Sequence, residues 1–284
     1  MTLVFTDSGL GGLSVMAEFI ESCPQAGMFE RIVFFNALYQ NGMGYNTMKT
    51  QEEKIRIFDR ALFAMDQQFN PVFIAIACNT LSALFPSTAF FSRRPGKGIS
   101  IVSTGRSMIQ NYRQEKPDIP IWVVATPITI RSGIYQFETG DIQPWAADGL
   151  ASAIETDIHG IQVRETIATL FHHIRQHDPI TRRLALFLGC THFGYAAPLF
   201  LNQAAEFELD IDRILDPNSA FAHNLASGVP QTADSPRLAP PNLQIYSRTE
   251  IPPHEKLNMI NLIRPLSPRV ASALDHYTLN PDLF

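Results

Sequence analysis

PVFIAIACNTLSALF (71–85) decides the fold. Its first half is an apolar run without alternation, as expected of a strand covered on both faces of a parallel sheet. The run breaks at Cys78-Asn79-Thr80, then resumes with the apolar spacing of a helix. LALFLGCTHFGYAAPLF (184–200) repeats the plan: apolar strand, Cys190, a polar pair, apolar helix. The two cysteine turns are separated by about one small α/β domain's length of chain.

Outward from these stretches the pattern continues. LVF (3–5) runs into DSGLGGLSV, RIVFF (31–35) into NALYQNGMGYN, and IPIWVVA (119–125) into TPITIRSG, with a further run at GISIV (98–102). Residues 49–68 and 163–177 carry helical spacing of apolar side chains. Strands alternating with helices predict an α/β fold, here two similar α/β domains with mostly parallel sheets facing each other across an active-site cleft. The first domain is expected to combine residues 1–98 with 214–284, and the second to span 99–213. SRRPGKG (92–98) is the expected linker, with a second crossover near Arg213. Beyond Ser227 lie prolines 230, 236, 240, 241, 252, 253, 265 and 268, which predict loop-rich packing with one strand, LQIYS (243–247), and a final helix.

Composition excludes several classes. At 45% hydrophobic and 17% charged, the chain of 284 residues is globular rather than disordered. A net charge of -5 without a Lys/Arg run gives no nucleic-acid footprint, and no apolar run approaches a membrane span. The start, MTLVFTDSG, does not read as a signal peptide. Three cysteines make no disulfide framework and point to a reducing cytoplasm.

The polar clusters all sit at the carboxyl ends of predicted strands, where parallel sheets bind ligands. A thiol at a strand end where a helix begins is placed for activation by the helix dipole. Two such thiols can remove a proton from carbon on one face and return it on the other. Without an organic electron sink, that chemistry relies on positioned bases and fixed dipoles.

DSGLGGLSV (7–15), ACNTLSA (77–83), ATPITIRSGIYQ (125–136) and GCTHF (189–193) together resemble the glutamate racemases of the Asp/Glu racemase superfamily, in the family's order over most of the first 225 residues. The resemblance implies a cofactor-independent amino-acid racemase that makes D-glutamate for peptidoglycan by a two-base thiol/thiolate mechanism. It implies Cys78 and Cys190 as proton-transfer residues, Asp7 beside the first thiol, His192 beside the second, and Glu155 as an auxiliary acid. Ser8, Asn79, Thr80, Thr129 and Thr191 match substrate-binding positions. The expected partners are a small amino acid and a second copy of the chain as a homodimer, with no nucleic acid, membrane, metal or pyridoxal phosphate.

The chain departs from the family at 41–47, where a Pro-Tyr-Gly turn is replaced by Tyr45-Asn46-Thr47 with glycines at 42 and 44. Asn46 and Thr47 remain candidate donors to a substrate carboxylate. Glutamate is the leading substrate. Aspartate or another polar amino acid, or a non-catalytic binding paralogue, are the alternatives. A cysteine hydrolase pairing Cys78 with His192 leaves Cys190 without a role. The loop Gly9-Leu10-Gly11-Gly12 lacks nucleotide-binding spacing, Cys190-x-His192 lacks further metal ligands, Cys23 reads as packing, and His172, His173 and His177 as a solvated helix face.

Overall fold

A computed structural model describes residues 1–40, 44–137, 142–178, 180, 182–229 and 240–284. Among these the strands are β1 (Thr2–Asp7), β2 (Arg31–Asn36), β3 (Ile74–Ile76), β4 (Gly98–Ser100), β5 (Ile121–Ala125), β6 (Ile142–Ala146), β7 (Arg183–Gly189), β8 (Asp210–Leu215), β9 (Asn242–Ser247) and β10 (Thr278–Leu279). They form a six-stranded sheet ordered β10-β9-β2-β1-β3-β4 and a four-stranded sheet ordered β6-β5-β7-β8. Every pairing among the described residues is parallel. The α/β class with parallel sheets is the class observed. Central strands are buried along their length, as in Leu3-Val4-Phe5 of β1 and Leu184 to Leu188 of β7, which accounts for their unbroken apolar runs.

The chain divides into two compact units, Met1–Ile101 with Asn218–Phe284, and Val102–Pro217. SRRPGKG (92–98), expected as the linker, runs from the end of the helix Ala89–Arg93 through a short turn to the first residue of β4, all within the first unit. Gly98–Ser100 forms the edge strand β4, in register with Ile74–Ile76 of β3. The Lys97 ammonium donates to the Pro71 carbonyl at 2.7 Å, and the Lys97 carbonyl accepts from the Ile74 N–H at 2.7 Å. The second break falls after β8, whose pairing from Arg183↔Asp210 to Phe187↔Leu215 keeps that stretch in the second unit.

The helix Gln51–Phe69 shows how local chemistry sets an element. Thr50 caps it by accepting from the Glu53 N–H at 3.1 Å, and Glu52 and Glu53 complement the positive end of the dipole. Ile57, Phe58, Ala61, Leu62, Met65 and Phe69 form its buried stripe, and Asn70 ends it in the left-handed conformation at φ 42°. Each large apolar side chain in that stripe contributes about 1.5–3 kcal/mol by burial.

Three strands carry no clear sequence signal. β6 contains Pro144 and β8 reads DIDRIL; both are edge strands, half-covered and polar. β10 is a two-residue edge. The C-terminal region holds two helices, Pro253–Ile263 and Pro268–Asp275, where one was expected. Proline near each start suits the first helical turn, and Ser267 caps the second by accepting from Val270 N–H at 3.2 Å. Residues 230–239, including prolines 230 and 236, and Gly42 of the 41–47 stretch lie outside the described residues. No helix among the described residues is long and apolar enough to cross a membrane.

Candidate active site

In the first unit, β1 and β3 are neighbours, so their carboxyl ends bring Asp7-Ser8 beside Cys78-Asn79-Thr80. Asp7, Cys78, Asn79 and Thr80 are buried. Cys78 caps the helix Asn79–Leu84: its sulfur accepts from the Leu81 N–H at 3.5 Å. The Ser8 hydroxyl lies 3.1 Å from the same sulfur.

The glycines of the 9–12 loop find their reason here. A Cβ on Gly12 would stand 2.8 Å from Asp7 Oδ2 and 3.0 Å from the Ala77 Cβ. Only glycine lets the start of the helix Leu13–Ser22 pass this close to the carboxylate. The loop therefore makes room for Asp7.

Two influences compete at Cys78. Burial and then the Asp7 carboxylate push its pKa well above the ordinary thiol value, while Ser8 and the N–H groups of Leu81 and Ser8 pull it down. Burial and like charge win. The helix start was expected to favour a thiolate; burial and the Asp7 carboxylate favour the thiol instead.

In the second unit, β5 and β7 are neighbours, and their carboxyl ends carry Thr126 and Cys190. Thr126 caps the helix Pro127–Ser132, and its hydroxyl lies 3.1 Å from that of buried Thr129. Cys190, Thr191 and His192 are all buried after β7. Cys190 Sγ lies 3.7 Å from His192 Nδ1, and His192 Nε2 lies 2.5 Å from Glu155 Oε1. Glu155 comes from the helix Leu150–Thr156, whose entry at Gly149 uses φ 73°. Burial alone would lower the imidazole pKa, but the Glu155 carboxylate and the contact to Cys190 outweigh it and raise it well above the usual value. His192 is thus a buried cation with its charge partner in place.

Not every candidate joins these clusters. Asn46 and Thr47 are exposed, and the Thr47 hydroxyl is spent on the Gly44 carbonyl at 2.9 Å. Their neighbour Tyr45 is buried, 2% exposed, the one buried residue among the described residues 44–47, and sequence reasoning passed over it. An aromatic ring inside a glycine-rich polar loop is the signal that could have found it. Cys23 is buried, and its thiol contacts the Ala222 carbonyl at 3.8 Å, as packing requires. Among the described residues no group of three or more His, Cys, Asp or Glu side chains could hold a metal.

No protein-family model matches the chain. A glutamate racemase of Lactobacillus helveticus is 30% identical over 227 residues, covering 76% of each chain. One from Rippkaea orientalis is 27% identical over 209 residues, 68% of this chain and 65% of that one. A crystal structure of glutamate racemase from Francisella tularensis in complex with D-glutamate superposes with a TM-score of 0.69 over 93% of both chains at 24% identity, a likeness of fold. With 30% identity sustained over three quarters of its length, this chain belongs to the glutamate racemase family, a family of amino-acid racemases and hence of isomerases.

Proposed function

We propose that this chain interconverts L- and D-glutamate without a cofactor, Cys78 and Cys190 serving opposite faces of the substrate's α-carbon. The observation that carries the reading is that each sheet ends in a buried cysteine with its own polar partners, Ser8 and Asp7 for one, His192 and Glu155 for the other. One sulfur, as thiolate, takes the α-proton. The electron pair left on carbon is then captured by the proton of the opposite thiol, which becomes the thiolate. Nothing is consumed, and the protonation states of the two sulfurs exchange.

The asymmetry of the two clusters fits this cycle. Cys78 rests as the thiol, the proton donor, with the Asp7 carboxylate beside it as a base for the reverse step. His192 carries a proton next to the other sulfur and steadies negative charge there as it develops. Buried Asn79, Thr80, Thr129 and Thr191 offer neutral hydroxyl and amide groups, which can donate to the carboxylate of an amino acid and accept from its ammonium. The exposed Asn46 and Thr47 play at most a peripheral part, through the edge of the loop.

We further place the reaction in the cytoplasm, supplying D-glutamate to peptidoglycan, with the enzyme as a homodimer. Three free cysteines fit a reducing compartment.

The test is incorporation of solvent deuterium at the α-carbon of L- and D-glutamate, with chiral chromatography of the product and no cofactor added. Exchange with racemisation, abolished by Cys78→Ser and by Cys190→Ser and indifferent to chelator or hydroxylamine, supports the reading. Near wild-type racemisation by either mutant refutes the two-base mechanism. Exchange confined to aspartate or another amino acid refutes glutamate as substrate.

A further inference from the structure

We infer that Tyr45 is a positioning residue for the first thiol, tying its loop through Ala37 to the strand end that presents Asp7 and Ser8 to Cys78. The inference rests on the racemase reading above and assigns a further residue to that site.

Tyr45 stands out from its surroundings. Its neighbours Asn46 and Thr47 are exposed, yet its ring is among the largest fully buried side chains of the protein. A buried phenol must satisfy its hydroxyl, and this one donates to the Ala37 carbonyl at 3.2 Å. Ala37 is bound on its other side too, its N–H donating to the Asp7 carbonyl at 2.7 Å. The chain of contacts then passes along β1 to Ser8, 3.1 Å from the Cys78 sulfur. Just beyond Tyr45, the Thr47 N–H and hydroxyl both close on the Gly44 carbonyl, at 3.0 and 2.9 Å, which fixes the turn that carries the ring.

The phenol is also within electrostatic reach of the thiol. Burial first, and then negative charge on the Cys78 sulfur, push its pKa far above the ordinary phenol value. Tyr45 therefore remains a neutral donor throughout the cycle, also when Cys78 is a thiolate. It can hold the backbone beside the sulfur without competing for the transferred proton. Displacement of a reacting group by about 1 Å can cost on the order of 10²-fold in rate, so a group that fixes Asp7 and Ser8 has leverage over Cys78 and none over Cys190.

The experiment separates the two thiols with a β-chloro amino-acid substrate analogue. Elimination needs one base: it takes the α-proton, the C–H pair forms the Cα–Cβ double bond, and chloride leaves with its own pair. One enantiomer is defined as the one whose elimination Cys78→Ser abolishes, the other as the one lost in Cys190→Ser. Tyr45→Phe is expected to slow the first by at least about tenfold and leave the second within about twofold, the second serving as the control for folding. Equal slowing of both enantiomers, or of neither, overturns the inference while leaving the racemase reading intact. A wild-type protein that eliminates from neither enantiomer and exchanges no α-hydrogen of glutamate overturns the racemase reading, and this inference with it.

Discussion

The His192 imidazole joins Glu155 to Cys190: Nε2 lies 2.5 Å from the carboxylate and Nδ1 3.7 Å from the sulfur. Against burial, which lowers the imidazole pKa, Glu155 is the largest of the influences that raise it, ahead of the contact to Cys190. Glu155→Gln should therefore lower the His192 pKa, leaving only the contact to Cys190 to oppose burial. Racemisation should fall about 10²-fold, the size of a lost acid–base partner. NMR of the imidazole against pH, alongside turnover, checks both. A His192 that titrates as in wild type would show that the carboxylate does not control it.

The same pair makes stability depend on pH. The folded pKa of His192 is raised, so its contribution is fully present below the unfolded value of about 6.5 and is lost as pH rises through the folded value. From about pH 6.5 upward, until the raised folded value is passed, the unfolding free energy should decline, by at most ~1.4 kcal/mol per pH unit from this group. In Glu155→Gln the decline should shrink over that window. Urea titrations of both proteins at several pH values decide it.

Ser8 acts on the first thiol in the opposite sense to Asp7. Its hydroxyl and N–H lower the Cys78 pKa, which burial and Asp7 raise. Ser8→Ala should push the thiol higher still, moving the pH midpoint for alkylation of Cys78 upward and slowing racemisation at neutral pH. Alkylation profiles in a Cys23→Ser background, read by peptide mass spectrometry, give the answer; an unmoved midpoint would remove Ser8 from the site.

Gly12 and Gly27 make a matched pair. A methyl on Gly12 meets Asp7 Oδ2 at 2.8 Å, whereas nothing lies within 4 Å of one on Gly27. Gly12→Ala should destabilise the protein by about 1–3 kcal/mol and depress turnover by displacing Asp7. Gly27→Ala should stay within about 0.5 kcal/mol of wild type. Thermal melts with parallel assays test the contrast, and equal effects at both sites would deny the close approach.

The amino-acid sequence by itself determined the parallel α/β class and the position of both cysteines at strand ends. Those features are written in short-range periodicity: apolar runs for covered strands, 3.6-residue spacing for helices, and a polar break after each strand. The edge strands β6, β8 and β10 escaped because a half-covered edge keeps charges and a proline and so lacks an apolar run. β4 lies within the apolar run GISIV, but only its pairing with β3 places it in the first unit rather than at the start of the second. Only the tertiary structure decided the chemistry within each cluster. Glu155 and His192 stand 37 positions apart and meet through packing of the helix Leu150–Thr156 against the turn after β7. Whether Cys78 rests as thiol or thiolate depends on burial and Asp7 outweighing the helix start, and Tyr45 is buried while its neighbours are not. Desolvation and charge are sums over neighbours in space, and neighbours in space are what a linear pattern does not record.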